Sequence, residues 1–157
     1  MSAQSDQGLD DLDIQLIRIM REEPRIGMLE VSRRLGVARG TVNARLDRLR
    51  KNEVVTGFGP EVDLKRIGYS VLAFSILELA QGRIGDVRAV LDSMPEVLEA
   101  HTVAGRGDVI VRLIARSNDH LMELIEQIVG SPHIARAETM IALAEQVPYR
   151  PLSVILP

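Results

Sequence analysis

The chain reads as an α+β protein in two parts: an N-terminal helix-turn-helix domain of winged-helix type, then a ferredoxin-like βαββαβ domain. Three observations predict this. Before residue 52, apolar residues recur at helical spacing in three short segments; after residue 70, apolar β-prone runs alternate with amphipathic helical ones. Seven basic side chains (Arg33, Arg34, Arg39, Arg45, Arg48, Arg50 and Lys51) fall within nineteen residues that hold one acid, Asp47. And 157 residues, 46% of them hydrophobic, are enough for two small cores.

Residues 1–8 are polar, lack the basic-then-apolar order of a signal peptide, and are expected to form a flexible tail. Leu9 to Glu23 has the period of a helix, with Leu9, Leu12, Leu16, Ile19 and Met20 on one face and Ile17 at its edge. Asp10, Asp11 and Asp13 suit the dipole of its first turn, and Pro24 ends it. A short second helix runs from Met28 to Leu35 behind Gly27. Gly36 and Val37 make the turn, where glycine accepts the left-handed conformation. The third helix runs from Ala38 to about Lys51. Val42, Leu46 and Leu49 form its buried stripe, and Ser32 is small where the two helices cross.

Stepping 100° per residue from Val42 leaves Arg39, Gly40, Thr41, Asn43 and Ala44 as the exposed N-terminal surface of that helix. In a helix-turn-helix this surface meets base edges in the major groove of double-stranded DNA. Gly40 and Ala44 permit close approach, Asn43 pairs with adenine, and arginine pairs with guanine or phosphate. Arg45 and Arg48 are expected to clamp phosphates, Arg33 and Arg34 are counted with the DNA-binding residues, and Arg50 and Lys51 are expected to complement the helix C-terminal dipole. The net charge of −3 hides the asymmetry, because a segment near +6 sits on a remainder near −9. A solvated charged face, or a winged helix that docks on protein, is the alternative use of such a unit.

The helix-turn-helix domain is expected over residues 9–53 and a β-strand linker over 54–69, where Val54 to Val62 is β-prone and Gly-punctuated. The ferredoxin-like domain follows over 70–157. Strands are expected at Ser70–Leu79, Val97–Val103 and Val109–Ile114, and within Ile134–Val147. Helices are expected at Ile84–Met94 and Asp119–Val129, the second capped by Ser117 or Asn118. With both helices on one face of the sheet, Ser75, Ile110 and Leu113 are expected to supply a dimer interface on the other.

Cysteine is absent, which excludes disulfides and thiolate metal sites and fits a reducing cytoplasm. The longest apolar run, Val71 to Leu77, is too short for a membrane span. His101, His120 and His133 have no metal-ligand spacing, and no nucleophile elbow or phosphate loop is present. No metal, cofactor or enzymatic activity is expected.

Several segments in order resemble the Lrp/AsnC, or feast/famine, family of transcription regulators: Leu12 to Ile17, Arg25, Glu30 to Val37, Thr41 to Leu46, Val54 to Phe58, and Val103 to Asp108. The resemblance implies a cytoplasmic homodimer that assembles further, often to octamers, binds DNA through its N-terminal domains and takes an amino acid or related metabolite between C-terminal domains. It implies an effector site at Gly105, Arg106, Gly107 and Asp108, closed by Thr139 and Ile141 beside Met140. Locally, two glycines can turn N–H groups toward a carboxylate and Asp108 can accept an ammonium group, although a plain hairpin turn also explains them.

Two positions depart from the family pattern. Ala38 stands where a capping serine is common, and Gly107 where an aromatic residue is common. The alternative on the same two-domain plan is a siroheme decarboxylase-like enzyme, which would need His101, Arg106 and Arg112 to converge on a tetrapyrrole.

Overall fold

The structure is a computed structural model that describes residues 8–80 and 84–156. The expected tail, apart from Gly8, lies outside them. The chain divides into two compact units, one of residues 1–60 with 149–157 and one of residues 61–148. The last nine residues therefore belong with the helical unit, where a single domain over 70–157 was expected.

In the first unit, α1 (Asp11–Glu22), α2 (Met28–Leu35) and α3 (Arg39–Lys51) pack around Leu16, Ile17, Val31, Val42 and Leu49. Gly36 closes α2 at φ 65°, and Val37 donates its N–H to the Ser32 carbonyl at 3.1 Å, which builds the expected turn. Ser32 is buried and its hydroxyl donates to the Leu29 carbonyl at 2.7 Å. The core phase of α1 differs from the expected one. Ile17 is buried rather than at the edge, Leu12 is outside the core cluster, and the fully buried Asp13 takes a place on the inward face. A 3-10 turn at Pro151–Val154 sets Leu152 and Ile155 against the same core.

No strand forms over 54–62, contrary to the expected β-strand linker. The N–H groups of Val54 and Val55 fold back onto the Leu49 carbonyl at the end of α3. Gly57, Gly59 and Pro60 then interrupt the run, and proline contributes no donor to a ladder. A 3-10 turn at Leu64–Ile67 follows, with the Asp63 side chain accepting from the N–H groups of Lys65 and Arg66.

The second unit has the order β1 (Val71–Leu79), α4 (Ile84–Asp92), β2 (Val97–Thr102), β3 (Val109–Ala115), α5 (Asn118–Val129), β4 (Ile134–Ile141). Its antiparallel sheet runs β2-β3-β1-β4, the ferredoxin-like arrangement. Ser117 caps α5 by accepting from the His120 N–H. Strand β4 ends at Ile141 rather than near Val147; the last bond along its line runs from the Ala142 N–H to the Leu72 carbonyl.

The helices cover one face of the sheet. Ala73, Leu77, Val109, Val111 and Leu113 meet Val87, Leu91, Leu121, Leu124 and Ile128 there. Ser75 lies on this covered face too, fully buried, with its hydroxyl 2.9 Å from that of Thr139. Ser75 and Leu113 therefore do not supply the uncovered face. Strand alternation puts Leu72, Phe74 and Ile76 of β1 there instead, across from Ile114, Arg112 and Ile110 of β3, with Met140 of β4 beside Phe74. Ile110 stands on the uncovered face as expected, whereas Ser75 and Leu113 do not, because a one-residue shift in a period of two exchanges the faces.

Candidate nucleic-acid interface and effector loop

Helix α3 presents Arg39, Gly40, Thr41, Asn43 and Ala44 to solvent, all exposed, while Val42 is fully buried beneath them. Its N-cap is Ala38, which makes no side-chain cap bond, so the first-turn donors are unsatisfied by any side chain there. Arg39 pairs with no acid among the described residues.

Three of the other expected DNA-binding arginines, Arg34, Arg45 and Arg48, already make hydrogen bonds to acids. Arg34 grips Glu23 with both terminal nitrogens, at 2.5 and 3.1 Å, and lies 3.5 Å from Glu30. Arg33 lies 3.6 Å from Glu30. Arg45 donates from Nη1 to Asp10, at 2.7 and 2.6 Å, and to Oδ1 of Asp13 at 3.0 Å. Arg48 donates from Nη2 to Oδ2 of Asp13. Arg50 stands 5.8 Å from the Phe58 ring centroid. The Arg45 hydrogen bond, followed by one from the Asp13 N–H, holds the Asp10 carboxyl below the ordinary aspartate value, and the Arg34 bond does the same for Glu23.

Asp10 and Asp13 are the residues that sequence reasoning missed here. Besides meeting the arginines, they form a capping box that closes the start of α1: Asp10 accepts from the Asp13 N–H at 2.9 Å, and Asp13 from the Asp10 N–H at 3.3 Å. The signal was available, because Asp13 lies three and four residues before the buried Leu16 and Ile17.

In the second unit the segment from Gly105 to Asp108 is a turn with two glycines at positive φ, 137° at Gly105 and 79° at Gly107. A Cβ at Gly107 would collide with Cγ2 of Ile76 and stand 3.2 Å from the Leu77 carbonyl oxygen. That close approach and the positive φ together favour glycine at this position. Asp108 stitches the turn to β1: its N–H donates to the Leu77 carbonyl, and its Oδ2 accepts from the Leu79 N–H, both at 2.8 Å. Arg106 reaches Glu138 of β4 at 2.8 Å. Glu138 sits opposite Ile76, on the uncovered side of the sheet. Thr139 points to the other side, at Ser75, and Ile141 lies farther along β4, opposite Ala73 and half exposed. Within one chain, Arg106 is thus brought to the residue beside Thr139, while the Thr139 side chain faces away.

His101 and Arg112 both approach Glu99, at 3.7 and 3.6 Å, on β2 and β3, whereas Arg106 pairs at the opposite edge strand. The three do not converge as a tetrapyrrole site requires. Among the described residues, no group of three or more metal-ligating side chains is arranged to hold an ion, and no helix is long and apolar enough to cross a membrane.

Residues 9–56 match the model for a winged helix-turn-helix DNA-binding module. Residues 72–152 match that of the Lrp/AsnC ligand binding domain. The chain belongs to the Lrp/AsnC family of transcriptional regulators. It is 27% identical over 135 residues to the HTH-type transcriptional regulator FL11 of Pyrococcus furiosus, covering 86% of this chain and 89% of that one. The structure of Escherichia coli AsnC superposes with a TM-score of 0.81 at 26% identity, over 91% of this chain and 97% of that one. The feast or famine regulatory protein of M. tuberculosis, complexed with L-methionine, gives 0.80 at 26% identity over the same shares. The helical unit is accordingly the DNA-binding module of an Lrp/AsnC regulator, and the sheet unit is its ligand-binding domain.

Proposed function

We propose that this Lrp/AsnC regulator reads duplex DNA with Arg39, Gly40, Thr41, Asn43 and Ala44, and that a free amino acid at its ligand-binding domain controls that binding. The observation that carries the first part is the state of α3. Its N-terminal surface is exposed and unencumbered, on a helix fixed from below by Val42 and Leu49. Arg33 and Arg34 flank it; Arg34 contributes positive potential more than a fixed bond because Glu23 already holds it, and Arg33, 3.6 Å from Glu30 without a hydrogen bond to it, keeps its donors.

The amino acid is supported by the M. tuberculosis relative complexed with L-methionine. It is also supported by the Gly105–Asp108 turn, where Oδ1 of Asp108 accepts no bond among the described residues and can take an ammonium group. In this reading Arg106, Thr139 and Ile141 complete the site from adjoining subunits. The uncovered sheet face, with Leu72, Phe74, Ile76 and Ile110, pairs two copies, and dimers assemble further, to octamers. The protein works in the cytoplasm as a regulator without catalytic activity. Selection of binding sites from a random duplex pool, followed by thermal-shift titration with the twenty amino acids, tests both halves. Enrichment of a roughly palindromic site and a shift with at least one amino acid are expected; no enriched sequence and no shift would refute them.

A further inference from the structure

We infer that Asp13, with Asp10, is a positioning residue for DNA binding: it aims the guanidiniums of Arg45 and Arg48 so that their free nitrogens meet phosphates. The inference rests on the proposed DNA-reading role of α3 and adds the acids of α1 to it.

Two carboxylates beside a DNA-binding helix, Asp13 buried and Asp10 half exposed, look unfavourable, since they oppose the phosphate charge. The geometry gives them another use. Asp13 is fully buried, and its two oxygens divide between the two arginines, Oδ1 to Arg45 and Oδ2 to Arg48. Both oxygens of Asp10 lie within reach of the same Nη1 of Arg45, whose two hydrogens are shared among the three acceptors. Each arginine is therefore held by one terminal nitrogen. Its Nε and other terminal nitrogen make no bond among the described residues, and the Arg48 side chain remains about half exposed, at 48%. A guanidinium carries five N–H donors in a fixed planar fork, so engaging one corner narrows where the others point.

An unpinned arginine loses rotamer freedom when it docks on a phosphate; one already held loses much less. Arg45 and Arg48 are three residues apart and share one face of α3. Arg45 keeps about a quarter of its side chain exposed and Arg48 about half, while Asp13 is fully buried and so closed to solvent. Asp10 and Asp13 also fix α3 against α1 across more than thirty residues of sequence, so the same bonds set the attitude of the exposed N-terminal surface.

The test measures duplex binding by the full-length protein against salt concentration, for wild type, Asp13→Asn and Asp10→Asn. Asparagine caps a helix as well as aspartate does, so Asp10→Asn keeps the start of α1 and supplies a variant that folds even if Asp13→Asn does not. If the acids position the arginines, both variants bind weaker, Asp13→Asn by about ten-fold, although each removes a negative charge. The slope of log K against log salt falls by about 0.9 for each phosphate that an arginine no longer neutralises. Arg48→Ala then adds little further loss to Asp13→Asn. Affinity that rises when the charge is removed, or a salt slope unchanged in both variants, overturns the inference. A wild-type protein that binds no duplex refutes the DNA-reading role itself, a different outcome from variants that bind as well as wild type.

Discussion

Leu79 donates its backbone N–H to Oδ2 of Asp108 at 2.8 Å, so the side chain at the proposed effector turn also ends strand β1. The two uses are separable. Asp108→Asn keeps an oxygen for the Leu79 N–H but loses the charge that an ammonium group needs. It is expected to melt within about 1 kcal/mol of wild type and to lose the thermal shift given by the amino acid. Asp108→Ala loses both, with the sheet unit destabilised by about 1–2 kcal/mol. Calorimetry with and without the amino acid distinguishes the pair; an undiminished shift in Asp108→Asn removes this residue from the site.

The two glycines of that turn are not equivalent. Gly105→Ala meets open space and suffers only its positive φ, for a cost of about 1 kcal/mol. Gly107→Ala adds a collision with Ile76 to a φ of 79° and is expected to cost about 2–3 kcal/mol. Denaturant unfolding of the two variants gives this order, and equal losses would contradict the close approach to β1.

Leu152 brings the end of the chain onto the core of the DNA-binding unit. Leu152→Ala is expected to destabilise that unit by about 1–2 kcal/mol, less than a fully buried leucine would, and to leave the sheet unit unchanged. Hydrogen exchange in the full-length protein reads the two units separately; loss of protection confined to α1, α2 and α3 is the expected pattern.

The ion pairs of the helical unit make its stability depend on acid. Arg45 holds the Asp10 carboxyl below its ordinary value and Arg34 does so for Glu23. A carboxyl depressed by folding contributes stability above its unfolded value, near 4, and loses it as pH falls through the lower folded value. The unit should therefore melt at a nearly constant temperature from neutral pH down to about 5 and progressively lower below about 4. Asp10→Asn and Glu23→Gln should each flatten that fall, and a fall equally steep in the double variant would show that other groups carry it.

The two-part architecture was legible because helical and strand periods separate cleanly on either side of the linker. What sequence alone missed had long-range causes. In sequence Asp13 reads only as a first-turn acid suited to the helix dipole, because burying a carboxylate without a partner is costly. Its partners Arg45 and Arg48 are more than thirty residues away, where local periodicity does not reach. For the same reason the engagement of Arg45 and Arg48 by the acids of α1 was not legible. Ser75 was put on the wrong side of the sheet because β1 is apolar on both faces, which hides its phase; the hydroxyl of Thr139 fixes it. The strand expected over 54–62 failed because β propensity needs a partner as well as suitable residues. The exposed surface of α3, by contrast, depended only on helical geometry about Val42, and its five residues stand where that geometry put them.

The most direct test of the whole account is a titration of the selected duplex by fluorescence anisotropy, for wild type and Asn43→Ala, with and without the amino acid that shifts the melting temperature. Tight, salt-dependent binding by wild type, strengthened or weakened at least five-fold by the amino acid, is the expected result. About a ten-fold loss of preference for the selected duplex over random DNA is expected in Asn43→Ala. Equal affinity of wild type for selected and random duplexes, unaffected by any amino acid, would contradict it.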